Sequence, residues 1–213
     1  MTDPFADDPP ATPWPNPQAD LLAGDKDWWF VACMDFPRDE WLGYIGGYWK
    51  AASLIVAQVA ATGRDQDYLV YPFLMCWRHH VELQLKNLII QCQRCKRVEV
   101  EFPRTHKIGL LWEQTRTLLE EIFPTEDADH LDDVERVLRQ LQGFDPTSEH
   151  FRYPVTKNGA PTLEALPRVH MRLFHEAMES VAHYLDAVDT GLREKIDAEN
   201  EARAAMMDLY GPE

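Results

Sequence analysis

The sequence predicts an all-α protein, an up-and-down bundle of four to five helices with a short hairpin or ordered loop before the last long helix. Three observations support this prediction. Apolar residues recur at helical spacing in long segments, glycine, proline or aspartate separates these segments, and only the short stretch 98–102 alternates as a strand does. With 213 residues, 45% of them hydrophobic, the chain is also large enough to bury a substantial core.

The predicted domain organisation is an arm, a bundle and a tail. Residues 1–24 contain six prolines and several aspartates, which is typical of a disordered or loosely docked arm. Residues 25–190 are predicted to form the helical bundle. Residues 191–213 are predicted to form an acidic helical tail.

The first helix is predicted at about 39–62, with Asp39 as its N-cap. Its early turns contain Gly43, Gly46 and Gly47, which are poor helix formers. One interpretation is that another backbone approaches closely at these glycines. The alternative is a weak or bent first turn.

The second helix, at about 66–95, is predicted to be the centre of the bundle because it is apolar on two faces. Its only proline, Pro72, is placed in the first turn, where the missing N–H costs little. A charged stripe runs between the apolar faces. It places Arg78, Glu82 and Lys86 four residues apart, which favours pairing along the helix.

Two shorter helices are predicted to follow. The stretch 98–102 is interpreted as either a short strand or a plain connection. The third helix then begins near His106, and the fourth opens near Asp129 and ends with Gly143 as its C-cap.

The last helix is long and follows a segment without helical periodicity. Asn158 and Gly159 in that segment form a strong signal for a tight turn. The helix is predicted to begin at Thr162 or Leu166 and to extend beyond Asp189.

The net charge of −15 is concentrated at the two ends of the chain. Residues 1–40 hold nine acids and two bases, and residues 176–213 hold ten acids and three bases. The middle is nearly neutral and contains a local basic cluster, so an anionic ligand there is compatible with the sequence. This cluster comprises Arg94, Lys96, Arg97, Arg104 and Lys107.

Targeting and cysteine content predict a cytoplasmic protein without membrane association. No apolar run approaches the roughly 20 residues of a membrane helix, and the acidic, proline-rich start differs from a secretory signal. The four cysteines are interpreted as reduced thiols. Cys92 and Cys95 form a C-x-x-C without a second pair of ligands at suitable spacing, so no metal and no cofactor are predicted.

The charged stripe admits two interpretations. Cleavage of RNA needs a proton acceptor, a proton donor and cations that stabilise the phosphorane, and five residues could supply these if they converge. They are Arg78, His79, Lys86, His106 and Arg152. The alternative is a buried polar network in which Glu82 holds its two neighbouring cations.

Three motifs occur in a fixed order along the predicted helices. They are Arg78-His79-x-x-Glu82-x-x-x-Lys86, Thr105-His106 and Phe151-Arg152-Tyr153-Pro154. This ordered set resembles the HEPN family (higher eukaryotes and prokaryotes nucleotide-binding domain) over roughly residues 40–190. The resemblance implies a helical bundle that is often a homodimer. It also implies a role in nucleotide or RNA biology, often in toxin–antitoxin or antiviral defence systems with a partner protein encoded nearby.

HEPN members that cut RNA carry Arg-x4–6-His, which pairs a phosphate-binding arginine with an acid–base histidine. The loop at Arg152 lacks this histidine, so the resemblance implies a divergent member. Arg168 and His175 do fit Arg-x6-His, and seven residues along a helix would return them to one face.

The leading hypothesis is therefore a HEPN-like nucleotide- or RNA-binding protein, whose activity as an enzyme would be that of a metal-independent endoribonuclease. Its catalytic candidates are Arg78, His79, His106 and Arg152, and its binding candidates are Glu82, Lys86, Tyr153, Arg168 and His175. The alternative hypothesis is a non-catalytic helical interaction module with an antitoxin-like, regulatory or scaffolding role.

The two hypotheses predict different structures. A nuclease should present an arginine and a histidine together in an open, basic cleft. An interaction module should keep Arg78, Glu82 and Lys86 paired with one another and closed to solvent.

Overall fold

The computed structural model shows an all-α bundle, which confirms the predicted fold class. The described residues form five α-helices, namely α1 (Glu40–Thr62), α2 (Gln66–Cys95), α3 (Ile108–Ile122), α4 (Ala128–Phe144) and α5 (Met171–Tyr210). Helix α2 packs against α1, α3 and α5, and further contacts join α3 to α4 and both α1 and α4 to α5. The central position predicted for the second helix is therefore confirmed.

The structure describes residues 15, 17–21, 28–34, 39–124, 128–164, 166 and 168–211. By contacts the chain divides into two units, residues 1–36 and residues 37–213. In the first unit, Trp28–Phe30 form a short 3-10 helix. Of the arm predicted for residues 1–24, only residues 15 and 17–21 are among the described residues. No helix in the described ranges has both the length and the apolar character that crossing a bilayer requires.

Helix α1 begins and ends where its capping residues predict. The Asp39 carboxylate accepts a hydrogen bond from the backbone N–H of Trp41 at 3.0 Å, and Gly63 ends the helix with φ 65°. The first interpretation, a closely approaching backbone, finds no support at Gly46 and Gly47 among the described residues. A Cβ atom added at either glycine would meet no described atom within 4 Å.

Helix α2 has the predicted bounds, but the placement of Pro72 in its first turn was wrong. The helix begins at Gln66, so Pro72 lies in the second turn, where an N–H would normally bond to the carbonyl of Tyr68. Both residues are exposed, so water can reach that carbonyl. This exposure makes an interior proline tolerable there.

The connections on either side of α3 differ in detail from the prediction. Residues 98–102 form no strand, which leaves the connection as the correct alternative. Helix α3 begins at Ile108, two residues after His106. Helix α4 continues through Gly143 to Phe144, so the predicted C-cap at this glycine was wrong.

The segment before α5 contains the expected turn. Val155 and Pro161 form an isolated antiparallel bridge, and Gly159 adopts φ 79° between them. Helix α5 begins later than predicted, at Met171, with the side chain of His170 as its N-cap. It then continues without a break to Tyr210, so the predicted tail is the second half of α5.

Candidate functional site: a buried charge network

The charged side chains of the stripe on α2 pair with one another and are buried. One turn of helix separates Arg78 from Glu82 and Glu82 from Lys86, which brings their side chains together. Arg78 Nη1 lies 2.5 Å from Glu82 Oε2, and Lys86 Nζ lies 2.9 Å from Glu82 Oε1. The three side chains are 1%, 2% and 5% exposed in that order. Arg78 and Lys86, the cations that could hold a phosphate, are therefore already paired with Glu82.

A second carboxylate, which the sequence analysis missed, completes the network. Asp145 directly follows α4, and its Oδ2 lies 3.0 Å from Arg78 Nε as an ion pair without the alignment of a hydrogen bond. Its Oδ1 accepts hydrogen bonds from the backbone N–H groups of Glu149 at 2.9 Å and His150 at 3.0 Å. Asp145 therefore fixes the loop after α4 and balances the charge of Arg78. We call Arg78, Glu82, Lys86 and Asp145 the buried charge network.

His106 is the one predicted catalytic residue that is both exposed and tied to this network. Its Nδ1 lies 2.8 Å from Glu82 Oε1, while its side chain is 65% exposed. Its backbone carbonyl accepts a hydrogen bond from Arg78 Nη2. A carboxylate bonded to Nδ1 orients an imidazole ring. His106 is thus positioned for proton transfer at the edge of the network.

His79 has a different setting, against α1. Its half-buried ring contacts Tyr48 edge to face, with ring centroids 4.4 Å apart. Burial is the main cause that lowers the pKa of His79 below its ordinary value of 6.5, and the charges of Arg78, Lys86 and Arg152 lower it further against an opposing contribution from Glu82. The neutral ring of His79 therefore serves mainly to pack against Tyr48.

The loop residues of the third motif lie on the surface. Arg152 is exposed, donates from Nε to the carbonyl of Ser148 at 2.8 Å, and lies over the ring of Tyr153 with its guanidinium carbon 5.5 Å from the centroid. Tyr153 is exposed, and its carbonyl accepts a hydrogen bond from Thr162 Oγ1 at 2.7 Å. The guanidinium of Arg152 is accessible to an anion, unlike that of Arg78.

The structure gives Arg168 and His175 different surroundings. Arg168 is exposed and precedes the first residue of α5, so the two do not share a helical face. His175 Nε2 lies 3.6 Å from Glu179 within α5, and its ring lies 5.3 Å from that of Trp77. The Arg-x6-His spacing therefore does not produce a helical pair.

Two of the predicted surface bases are neutralised by acids. Lys96 bonds to Glu121, and Arg97 Nη2 lies 3.5 Å from Glu199 Oε2. The local basic cluster is therefore weaker as an anion site than its sequence indicates.

The C-x-x-C pair does not have the properties of a metal or redox site. Cys92 and Cys95 are buried and free. Burial is the main cause that raises the pKa of Cys92 to about 12, and burial also raises the pKa of Cys95. Because the thiolate is the form that attacks disulfides and binds metals, these thiols are inert structural groups.

A second polar connection that the sequence analysis missed joins three helical segments. Asn87 donates to Asp189 at 2.8 Å, and Arg193 Nε lies 2.7 Å from Asp189 Oδ2. Arg193 also reaches Asp39, with Nη1 3.1 Å from Oδ2. Polar residues at ordinary helix positions carry no sequence signal for such long-range partners.

The fold and this geometry define an all-α bundle whose central helix carries a closed, charge-balanced network with one exposed imidazole at its edge. Comparisons of the chain with models of protein families, with curated proteins and with solved structures found no match. The resemblance to the HEPN family therefore rests on the three motifs alone.

Proposed function

We propose that the protein is a non-catalytic helical interaction module whose charged stripe serves the fold. The observation that supports this most strongly is the closure of the buried charge network, in which Arg78 and Lys86 both pair with Glu82 away from solvent. A phosphate could reach either cation only by separating a buried ion pair, at a cost of roughly 3–5 kcal/mol. The network is thus better suited to hold α2, α3 and the loop after α4 together than to bind RNA.

The overall charge supports the same proposal. A chain with a net charge of −15 repels the phosphates of nucleic acid except where bases are locally exposed. A protein partner, in an antitoxin-like, regulatory or scaffolding assembly, meets no such barrier. We expect this partner to be encoded nearby and the assembly to be cytoplasmic.

A second candidate function is the HEPN-like binding of RNA or of a nucleotide, and one observation favours it. His106 is held by Glu82 at 2.8 Å and is largely exposed, as an acid–base group needs to be. In a metal-independent endoribonuclease this imidazole would exchange a proton with the 2′-hydroxyl or the leaving oxygen. Arg152, whose guanidinium is exposed, would hold the phosphate.

One RNA assay separates these two functions. Purified full-length protein is incubated with labelled single-stranded RNA, with and without chelator, beside His106→Ala and Arg152→Ala variants whose thermal unfolding matches that of the wild type. The interaction-module proposal predicts that all three proteins leave the RNA intact and unbound. Cleavage by the wild type that disappears in His106→Ala would overturn this proposal and establish the second candidate.

A further inference from the structure

The C-terminal end of α5 extends beyond the bundle. At 1.5 Å per residue, the 40 residues of α5 span about 60 Å and the 30 residues of α2 about 45 Å. Partial burial along α5 ends at Glu199, which pairs with Arg97 just after the end of α2. Every residue from 201 to 209 is exposed. We call residues 200–209 the α5 extension.

The α5 extension has an apolar stripe. Ala202, Ala205, Met206 and Leu209 recur at i, i+3, i+4 and i+7, which places them on one side of the helix. Met206 is 64% exposed and Leu209 is 75% exposed. A contiguous apolar stripe that is exposed to water indicates a surface to which another protein segment binds.

The same chain presents an apolar groove between α4 and the first half of α5. Two adjoining cavities of about 300 Å³ and 440 Å³ share Val137 and Ala177 as lining residues. Phe144 and Leu173 extend the apolar wall, and Leu173 is largely exposed. The groove follows α4, whose 17 residues span about 25 Å, so it can accept an extension about 15 Å long.

Charge favours this match between groove and extension. At the edge of the groove Arg136 pairs with Asp133, with Nη2 3.2 Å from Oδ1, so Arg168 supplies the net positive charge. The extension carries Glu201 and Asp208 along one edge of its stripe, with a single arginine at position 203. The two surfaces therefore have opposite net charge, although the chain as a whole is strongly acidic.

The extension cannot reach the groove of its own chain. Met206 and Ala177 lie on one continuous helix, 29 residues or about 44 Å apart. The extension can therefore enter such a groove only on another molecule, and a second copy supplies both complementary surfaces.

We propose that the α5 extension of one copy binds in the α4–α5 groove of a second copy, and that the exchange is reciprocal. Two copies related by a two-fold axis form both contacts at once, which closes the assembly as a dimer. The inference rests on the proposed interaction role and adds a second copy of this chain to the partner expected there.

The solution mass of the full-length chain, 24.7 kDa per copy, tests the inference. We expect a dimer for the wild type. The double substitution Met206→Glu and Leu209→Glu places charges on the apolar stripe of the extension. Ala177→Glu places a charge in the apolar groove. Each should weaken the dimer at least tenfold without loss of helix by circular dichroism, because all three positions are exposed. The matched control Leu54→Glu alters an exposed residue of α1 and should leave the dimer intact.

Mixing the two damaged proteins gives the sharpest result. The groove variant still has an intact extension and the extension variant still has an intact groove, so one contact forms in a mixed dimer and none forms in either protein alone. Association that appears only on mixing supports the exchange. A monomeric wild type, damaged variants that remain dimeric, or dissociation caused by Leu54→Glu would overturn it. The solution mass is independent of the RNA assay, so the proposed dimer can be contradicted while the proposed interaction role stands.

Discussion

Glu82 is the residue on which the buried charge network depends. Its two carboxylate oxygens bind Arg78, Lys86 and the ring of His106. Burial alone would raise the pKa of Glu82, but hydrogen bonds from Lys86 and His106, together with the charge of Arg78, outweigh burial and lower this pKa below its ordinary value of 4.5. The folded state therefore holds Glu82 ionised more firmly than the unfolded chain does.

We expect Glu82→Gln to lower the free energy of unfolding at pH 7 by roughly 3–5 kcal/mol, because it leaves the buried Lys86 without its anion and leaves Arg78 with Asp145 alone. Urea unfolding measures this loss. A matched control is Glu121→Gln, which removes the half-exposed partner of Lys96 and should cost less than about 1 kcal/mol.

The pH dependence of the same variant follows from the sign of the pKa shift. A carboxylate whose folded-state pKa is lowered contributes stability that is complete above its unfolded pKa and is lost as pH falls through the folded value. The gap between wild type and Glu82→Gln should therefore narrow below about pH 4.5. A gap that stays constant from pH 7 to pH 3 would mean that Glu82 is not a paired carboxylate.

The candidate site was predictable from sequence only where one helix determines the neighbours. The spacing of Arg78, Glu82 and Lys86 fixes their contacts wherever α2 lies. Asp145 was missed because its contact depends on how α4 ends against α2, which is a property of the tertiary structure. The helical pairing of Arg168 with His175 failed because it assumed a helix that starts before residue 168.

At the scale of the element, α1 and α2 were predicted to within a residue of each end. Local signals suffice there, since Asp39 caps α1 and Gly63 supplies the left-handed residue that ends it. The start of α5 was placed too early because apolar spacing continues through Leu166. Pro167 disfavours a helical conformation in the residue before it, and the helix begins only after the His170 cap.

The glycines of α1 provide a prediction at this scale. Gly46 and Gly47 are interior helix positions with open space where a Cβ would stand. We expect Gly46→Ala and Gly47→Ala each to raise the free energy of unfolding by about 0.5–1 kcal/mol, because alanine loses less conformational freedom than glycine on folding. Thermal and urea unfolding of the single variants measure the gain.

Gly63→Ala is the control for these variants. Gly63 also has open space, but its φ of 65° is strained for alanine, so this change should destabilise the protein. If Gly46→Ala or Gly47→Ala destabilises as well, the space beside these glycines is filled in solution and the prediction is wrong.

At the scale of the whole molecule, the buried apolar cluster found among the described residues lies within residues 37–213. Its first member is Ala52 and its last is Leu192. The buried charge network lies within the same range. Residues 1–36 add seven acids and one base, so they account for −6 of the net charge of −15. Residues 1–36 therefore contribute much of the acidity of the chain and no described residue of that cluster.

We expect a chain of residues 37–213 to fold with a free energy of unfolding within about 1 kcal/mol of the full-length protein, which corresponds to a melting temperature within about 4 °C. Scanning calorimetry of both proteins measures the difference.

The matched control begins at residue 40 and so lacks Asp39, which caps α1 and pairs with Arg193. Loss of this cap should cost a further 0.5–2 kcal/mol or so, because an N–H at the start of α1 is left without its acceptor. If the chain of residues 37–213 loses as much stability as the control, or more, the prediction is wrong and residues 1–36 contribute to the stability of the bundle. If only the control is destabilised, the bundle is complete from Asp39 onward.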